Sequence, residues 1–199
     1  MLVNWTRFST RPDTANYSVS EPRGRDPPYL RGWIVRRESK CHRRNPCGMG
    51  VCVVRGDTGL GRGRGEVITE GFGRVITEDG SSGFIGAEVG SNNTAELNAI
   101  AGALQWLLAK GGDDSVVIRA DSQYALNIAQ GEWRAKKNRA LASRVRAMWD
   151  EVSSLRELHG EHVRAHRGHR WNERADHLAF RAMSGEEPLP LQFWKPGNR

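Results

Sequence analysis

S-N-N-T-A-E-L-N-A-I-A-G-A-L-Q-W-L-L-A-K, residues 91–110, followed by G-G-D-D-S-V-V-I-R-A-D, residues 111–121, decides the fold. Leu97, Ile100, Ala101, Leu104, Leu107 and Leu108 recur at helical spacing, and Gly111–Gly112 stop the helix. Val116 to Ala120 is a short apolar run of the buried-strand type. A carboxylate, Glu96, is expected in the first turn of the helix, and another, Asp121, ends the strand. Strand ends and helix starts on one side of a sheet are where active sites collect. Two carboxylates delivered there suit a hard divalent cation, which takes oxygen ligands.

Working outward, Leu30–Arg37 and Gly48–Arg55 read as strands, the second ended by the turn signal G-D-T-G. Two copies of V-I-T-E, at 67–70 and 75–78, flank G-F-G-R and predict a hairpin. Gly83–Val89 is a candidate strand. Past Asp121, helices are expected from Ser122 to Ala129, over about 139–157 and from about Asn172 to Met183, with a last strand at His162–Ala165. Early strands followed by alternating units predict an α/β fold with a mixed five-stranded sheet, an antiparallel meander and then parallel strands, with helices on both faces. Three regions follow: a basic polar extension over 1–28, one domain over 29–185 with a Gly/Arg-rich hairpin inserted at 60–80, and a Pro-rich tail over 186–199.

The formal net charge is +7, and 25 of the 30 basic residues are arginine, whose planar fork fits phosphate. Such a balance points to nucleic acid as partner, with a solvated basic surface as the plain alternative. No apolar run approaches the ~20 residues of a membrane span. Cys41, Cys47 and Cys52 are an odd count in one short span, which argues for a reducing, intracellular compartment, cytoplasmic by default. Arg7, Arg11 and the Ser and Thr of residues 1–20 share traits with an organellar presequence, against which Asp13 counts. The same cysteines with His42, and the five histidines of 159–177, raise a zinc reading, but no paired C-x-x-C spacing supports it. Nothing addresses oligomeric state, so a monomer is the default.

Three segments in order carry a resemblance: S-N-N-T-A-E-L at 91–97, A-D-S-Q-Y-A-L at 120–126 with K-K-N at 136–138, and H-V-R-A-H-R-G-H-R-W-N-E-R-A-D at 162–176. Together they resemble type 1 ribonuclease H, the class that cuts the RNA strand of RNA–DNA hybrids. The resemblance implies a catalytic cluster of Glu96, Asp121 and Asp176 holding two Mg²⁺ or Mn²⁺ ions, with His166 on a loop moving a proton or aiding product release. It implies that Asn45, Asn92, Asn93 and Gln123 touch bases and sugar hydroxyls, that Ser91 meets a DNA-strand phosphate, and that Trp133, Lys136 and Lys137 grip the hybrid. Singly, each residue has a structural alternative. Glu96 can form a capping box with Asn93, Asp121 can cap the next helix, Asp176 can be a solvated residue near Arg174, His166 can be an exposed loop residue, Trp133 can be core, and the lysines can form a solvated face.

One departure stands out. The family's first strand ends in an Asp that bridges both metals, and here the chain reads R-R-E-S-K-C at 36–41. Counting back from Asn45 lands on Ser39, whereas one inserted residue aligns Cys41 and puts Glu38 in the acid's place as a fourth metal ligand. A lost acid would leave a nucleic-acid-binding structural component of a ribonucleoprotein, such as an organellar ribosome, in place of an enzyme.

Overall fold

The computed structural model describes residues 8–9, 30–34, 47–56, 62, 64–164 and 167–198. The strands are β1 (Phe8–Ser9), β2 (Leu30–Ile34), β3 (Gly48–Arg55), β4 (Glu66–Arg74), β5 (Val116–Ala120) and β6 (Leu158–His162), and the helices are α1 (Asn92–Lys110), α2 (Gln123–Ala129), α3 (Arg139–Leu155) and α4 (Arg170–Ser184). They form one six-stranded sheet in the order β1-β4-β3-β2-β5-β6. β2, β3 and β4 pair antiparallel, and β5 pairs parallel with both β2 and β6. The sheet has six strands where five are expected, and one of them, β1, is two residues of the N-terminal extension that pair with β4 at the sheet edge.

Strand alternation on β3 sorts the two faces. Met49, Val51 and Val53 join the main core with α1, α2 and α3, while Cys52 and Val54 pack with Val163 and Trp171 of α4 on the other face. Gly48 and Gly50 of β3 let α4 approach, since a Cβ on either would collide with the Ala179 or Ala175 carbonyl. α4 therefore runs antiparallel to β3 in close contact.

Three expectations are corrected. The V-I-T-E copies do not form a hairpin. Residues 66–74 are one continuous strand laddered on β3 through Arg74↔Gly48, and Val75–Glu78 lies beyond it. Gly71 and Gly73 resemble turn residues, yet eight paired positions along a buried strand override that local preference. Gly83–Val89 forms turns and loop, not a strand. The last strand ends, and does not begin, at His162, so Val163 and Arg164 already lie beyond the sheet.

The stretch from Glu186 to Asn198 is packed on α4 and is not a loose tail. Trp194 is buried, with the Arg170 and Arg174 guanidinium carbons each 5.4 Å from its ring centroid. Arg174 is 1% exposed. It donates to both Glu70 carboxylate oxygens at 2.7 Å and to the Leu189 carbonyl at 2.8 Å, tying β4, α4 and the tail together. Removing one partner of a buried charge pair is costly. Glu70→Gln is expected to cost about 2–4 kcal/mol, less than a wholly buried pair because Glu70 retains some solvent contact. Urea denaturation of the variant checks this.

Candidate active site and nucleic-acid groove

β2 and β5 are parallel, so Asp121, just past β5, lies at the sheet end that β2 reaches after Ile34 and from which β3 starts at Gly48. The start of α1 lies there too, since a Cβ on Gly90 would sit 3.3 Å from the Cys47 sulfur. α4 brings Asp176 next to Ala175, which abuts Gly50 near the start of β3. Glu96, Asp121 and Asp176 thus reach one end of the sheet from three elements.

The capping alternatives for the acids give way to serines. Ser91 caps α1, accepting from the Thr94 amide at 3.2 Å, and Ser122 caps α2, accepting from the Ala125 amide at 3.1 Å. Glu96 is the fifth residue of α1, past the first turn in which the sequence places it, and too far along for a capping box. It is 6% exposed and Asp176 8%, so Asp176 is not a solvated helix residue. Each of Glu96, Asp121 and Asp176 has one carboxylate oxygen fully buried. Hard carboxylate oxygens are the donor type for Mg²⁺ or Mn²⁺ and unlike the thiolate and imidazole sets of zinc. Among the described residues no three His, Cys, Asp or Glu side chains form a group that would by itself hold a metal. The fourth expected ligand, Glu38, lies outside the described residues, as do its rival Ser39 and also Asn45 and His166.

Zinc finds no support in the described cysteines and histidines. Cys52 is a buried free thiol whose pKa burial pushes well up. His169 caps α4 and accepts from the Asn172 amide at 3.4 Å. His162 Nε2 lies 3.2 Å from the Asp121 carbonyl oxygen, bracing that turn.

Beside the acids runs a groove of about 1200 Å³. Ser91, Asn93, Trp133, Lys136 and Lys137 line it, five of the residues expected to hold nucleic acid. Trp133 is 51% exposed, which removes its reading as core, and it stands by Tyr124 with ring centroids 6.5 Å apart. Asn92 opens α1 without lining the groove; Gln123 opens α2 and donates to Asn127 at 2.8 Å.

Asn138 and Glu88 hold this groove in shape, and neither stands out in the sequence. Asn138 adopts a left-handed backbone (φ 54°), and its Oδ1 accepts from the Glu88 and Val89 amides at 2.8 and 3.1 Å. Its Nδ2 donates to Thr94 Oγ1 at 3.0 Å, while the Glu88 carboxylate accepts from the Asn138 and Arg139 amides at 3.0 and 3.1 Å. Four of these bonds fasten the residues after Lys136–Lys137 to the Glu88–Val89 loop, and the fifth reaches Thr94 of α1. Only its place after the two lysines in K-K-N hints at Asn138. Asn138→Ala is expected to cost about 2–4 kcal/mol in chemical denaturation, from the loss of buried hydrogen bonds and from a Cβ without local compensation at positive φ. Asn138→Gly should recover roughly 1 kcal/mol of that, since glycine tolerates the conformation.

Comparison with known proteins identifies the family and the fold. The RNase H family model matches residues 59–184, a span that begins after β2 and β3. A ribonuclease H from Nitratidesulfovibrio vulgaris (strain DSM 19637 / Miyazaki F) is 31% identical over 132 residues, 60% of this chain and 82% of the relative. The crystal structure of RNase H1 from the halophilic archaeon Halobacterium salinarum NRC-1 matches with a TM-score of 0.56 at 22% identity, covering 79% of this chain and 98% of that one. LC11-RNase H1, isolated from compost and crystallised with an RNA/DNA hybrid, matches with a TM-score of 0.54 at 21% identity, covering 78% and 97%. The α/β architecture is therefore that of the RNase H fold. No helix among the described residues is long and apolar enough to cross a membrane.

Proposed function

We propose, from the premise that the chain belongs to the ribonuclease H family, that it is an endonuclease hydrolysing the RNA strand of RNA–DNA hybrids. One observation carries the reading: three acids reach one sheet end beside a groove lined by Ser91, Asn93, Trp133 and two lysines. Glu96, Asp121 and Asp176, with Glu38 as fourth, would hold the divalent ions, Mg²⁺ or Mn²⁺. Bound there, such ions supply an activated water and neutralise charge on the leaving oxygen. The strands β4-β3-β2-β5-β6 correspond in this reading to the family's five-stranded sheet, with β1 as an addition and residues 29–185 as the nuclease domain.

The chain's own residues bind and orient. Lys136 and Lys137 neutralise backbone phosphates along the groove, and the exposed Trp133 ring offers a face to sugar or base. Ser91, at the start of α1, meets a DNA-strand phosphate where helix amides favour an anion. Asn45, Asn92, Asn93 and Gln123 address bases and the 2′-hydroxyls that separate RNA from DNA. His166, with an imidazole suited to neutral pH, moves a proton or helps the product leave.

The test is cleavage of an end-labelled RNA strand with Mg²⁺ or Mn²⁺. RNA in a hybrid should be cut, and the same RNA single-stranded should not. No cleavage of the hybrid would sink the enzyme. A second reading, binding without cleavage within a ribonucleoprotein, draws on the altered end of the first strand, R-R-E-S-K-C at 36–41, and on the basic N-terminal extension. Hybrid binding without hydrolysis would favour it.

A further inference from the structure

A second cavity, about 350 Å³, opens on the α4 face of the sheet. Arg62, Arg119, Arg164, Arg167 and His169 line it, and Glu161 is its only acid. Ile118 and Ala120 belong to the core on the α1 face, so Arg119 between them projects to the α4 face. Arg119 is 4% exposed, and its Nε donates to Glu161 at 2.6 Å, which offsets one of the four guanidinium charges. Arg62, Arg164 and Arg167 are exposed around the mouth. Burial, and then the Arg119 charge, lower the pKa of the lining His169 to about 4. The imidazole is thus neutral at physiological pH and adds no further charge.

The cavity lies close in the chain to Asp121, and the Trp133 groove lies beyond it in the other direction. Arg119 precedes Asp121 by two residues, and the Val163 amide, in the cavity lining, donates to the Ala120 carbonyl at 2.9 Å. Tyr124, three residues after Asp121, lines the groove. Asp121 therefore stands between two basic surfaces.

We propose that Arg62, Arg119, Arg164 and Arg167 form a phosphate pocket that holds a backbone phosphodiester of the bound nucleic acid beyond the catalytic end, so that the hybrid is gripped on both sides of the acids. This assignment rests on the hybrid-binding reading above. Guanidinium forks suit phosphate oxygens, and one site in a small cavity takes one phosphate. The shared chemistry, a phosphate anion, is also that of free inorganic phosphate.

The experiment compares wild type, Arg164→Ala/Arg167→Ala and a charge-matched control, Arg55→Ala/Lys110→Ala, whose residues lie at the opposite end of the sheet. A fluorescein-labelled RNA–DNA hybrid is titrated in EDTA by anisotropy from 50 to 300 mM salt. The pocket variant should bind about tenfold more weakly at 0.1 M salt, with a log–log salt slope shallower by ~1, because one fewer phosphate is neutralised on binding. The control should match wild type, and the melting temperatures of all three should agree. Wild type that binds, with a pocket variant that binds equally and keeps its slope, overturns the pocket alone. Wild type that neither binds nor cuts hybrid overturns the functional reading and the pocket with it. Inorganic phosphate is titrated calorimetrically in parallel. Phosphate binding that disappears in the pocket variant, together with unchanged hybrid affinity, would make this a small-anion site and overturn the strand assignment.

Discussion

Asp121→Asn is expected to reduce hybrid cleavage by at least roughly 10²–10³-fold, the scale seen when a preorganised charge at a reacting centre is removed. The change is nearly isosteric, and the surroundings make it mild for folding. Ser122 and not Asp121 caps α2, and His162 meets the backbone carbonyl of Asp121, which Asn retains. Melting temperature and hybrid affinity in EDTA should therefore stay close to wild type while turnover collapses. Glu38→Gln is the companion variant, measured under the same conditions. A comparable loss would place Glu38 as the fourth acid, whereas full activity would show that the chain does without it. Should wild type itself leave the hybrid intact while binding it, the non-catalytic reading stands.

Legibility follows the range of the interactions. α1 is readable because six apolar residues repeat at helical spacing and two glycines stop it, all of them local features. The acids are readable through motifs, but their competing capping roles are not, because a cap depends on where the helix starts. α1 starts at Asn92 behind Ser91, two residues too early for Glu96 to complete a capping box. β4 is misread at Gly71 and Gly73 because its register is set by β3, across a loop. Trp133 and the lysines are readable from the K-K-N segment, yet the brace beneath them joins Glu88 to Asn138, 50 positions apart. The four arginines of the second cavity stand at 62, 119, 164 and 167, and only the connection from β3 to β4, the crossover from β5 to β6 and the approach to α4 gather them.

The C-terminal stretch shows the same limit and leads to an acid-sensitivity prediction. His177 of α4 is 1% exposed and joins both ends of this stretch. Its Nε2 accepts from the Leu189 amide at 3.0 Å, and its Nδ1 is 3.2 Å from the Asn198 carbonyl oxygen, so Nδ1 carries the proton. That pattern needs a neutral ring, since protonating Nε2 would set one donor against another. Burial, and then the Arg174 charge, lower its pKa from the usual 6.5 to about 4. Between those values the unfolded chain binds the proton and the folded chain does not. Stability from this group is therefore complete above about pH 6.5 and declines as pH falls toward 4. The shift corresponds to about 2–3 kcal/mol lost by pH 4. His177→Gln, which offers a neutral donor and acceptor at all pH values, should be less stable than wild type at pH 7.5. Its stability should fall less between pH 7 and 4.5, so the two denaturation midpoints converge in acid. Parallel pH dependences would refute the histidine as the sensor, and a wild type equally stable at pH 7 and 4.5 would show that the tail does not depend on a neutral ring.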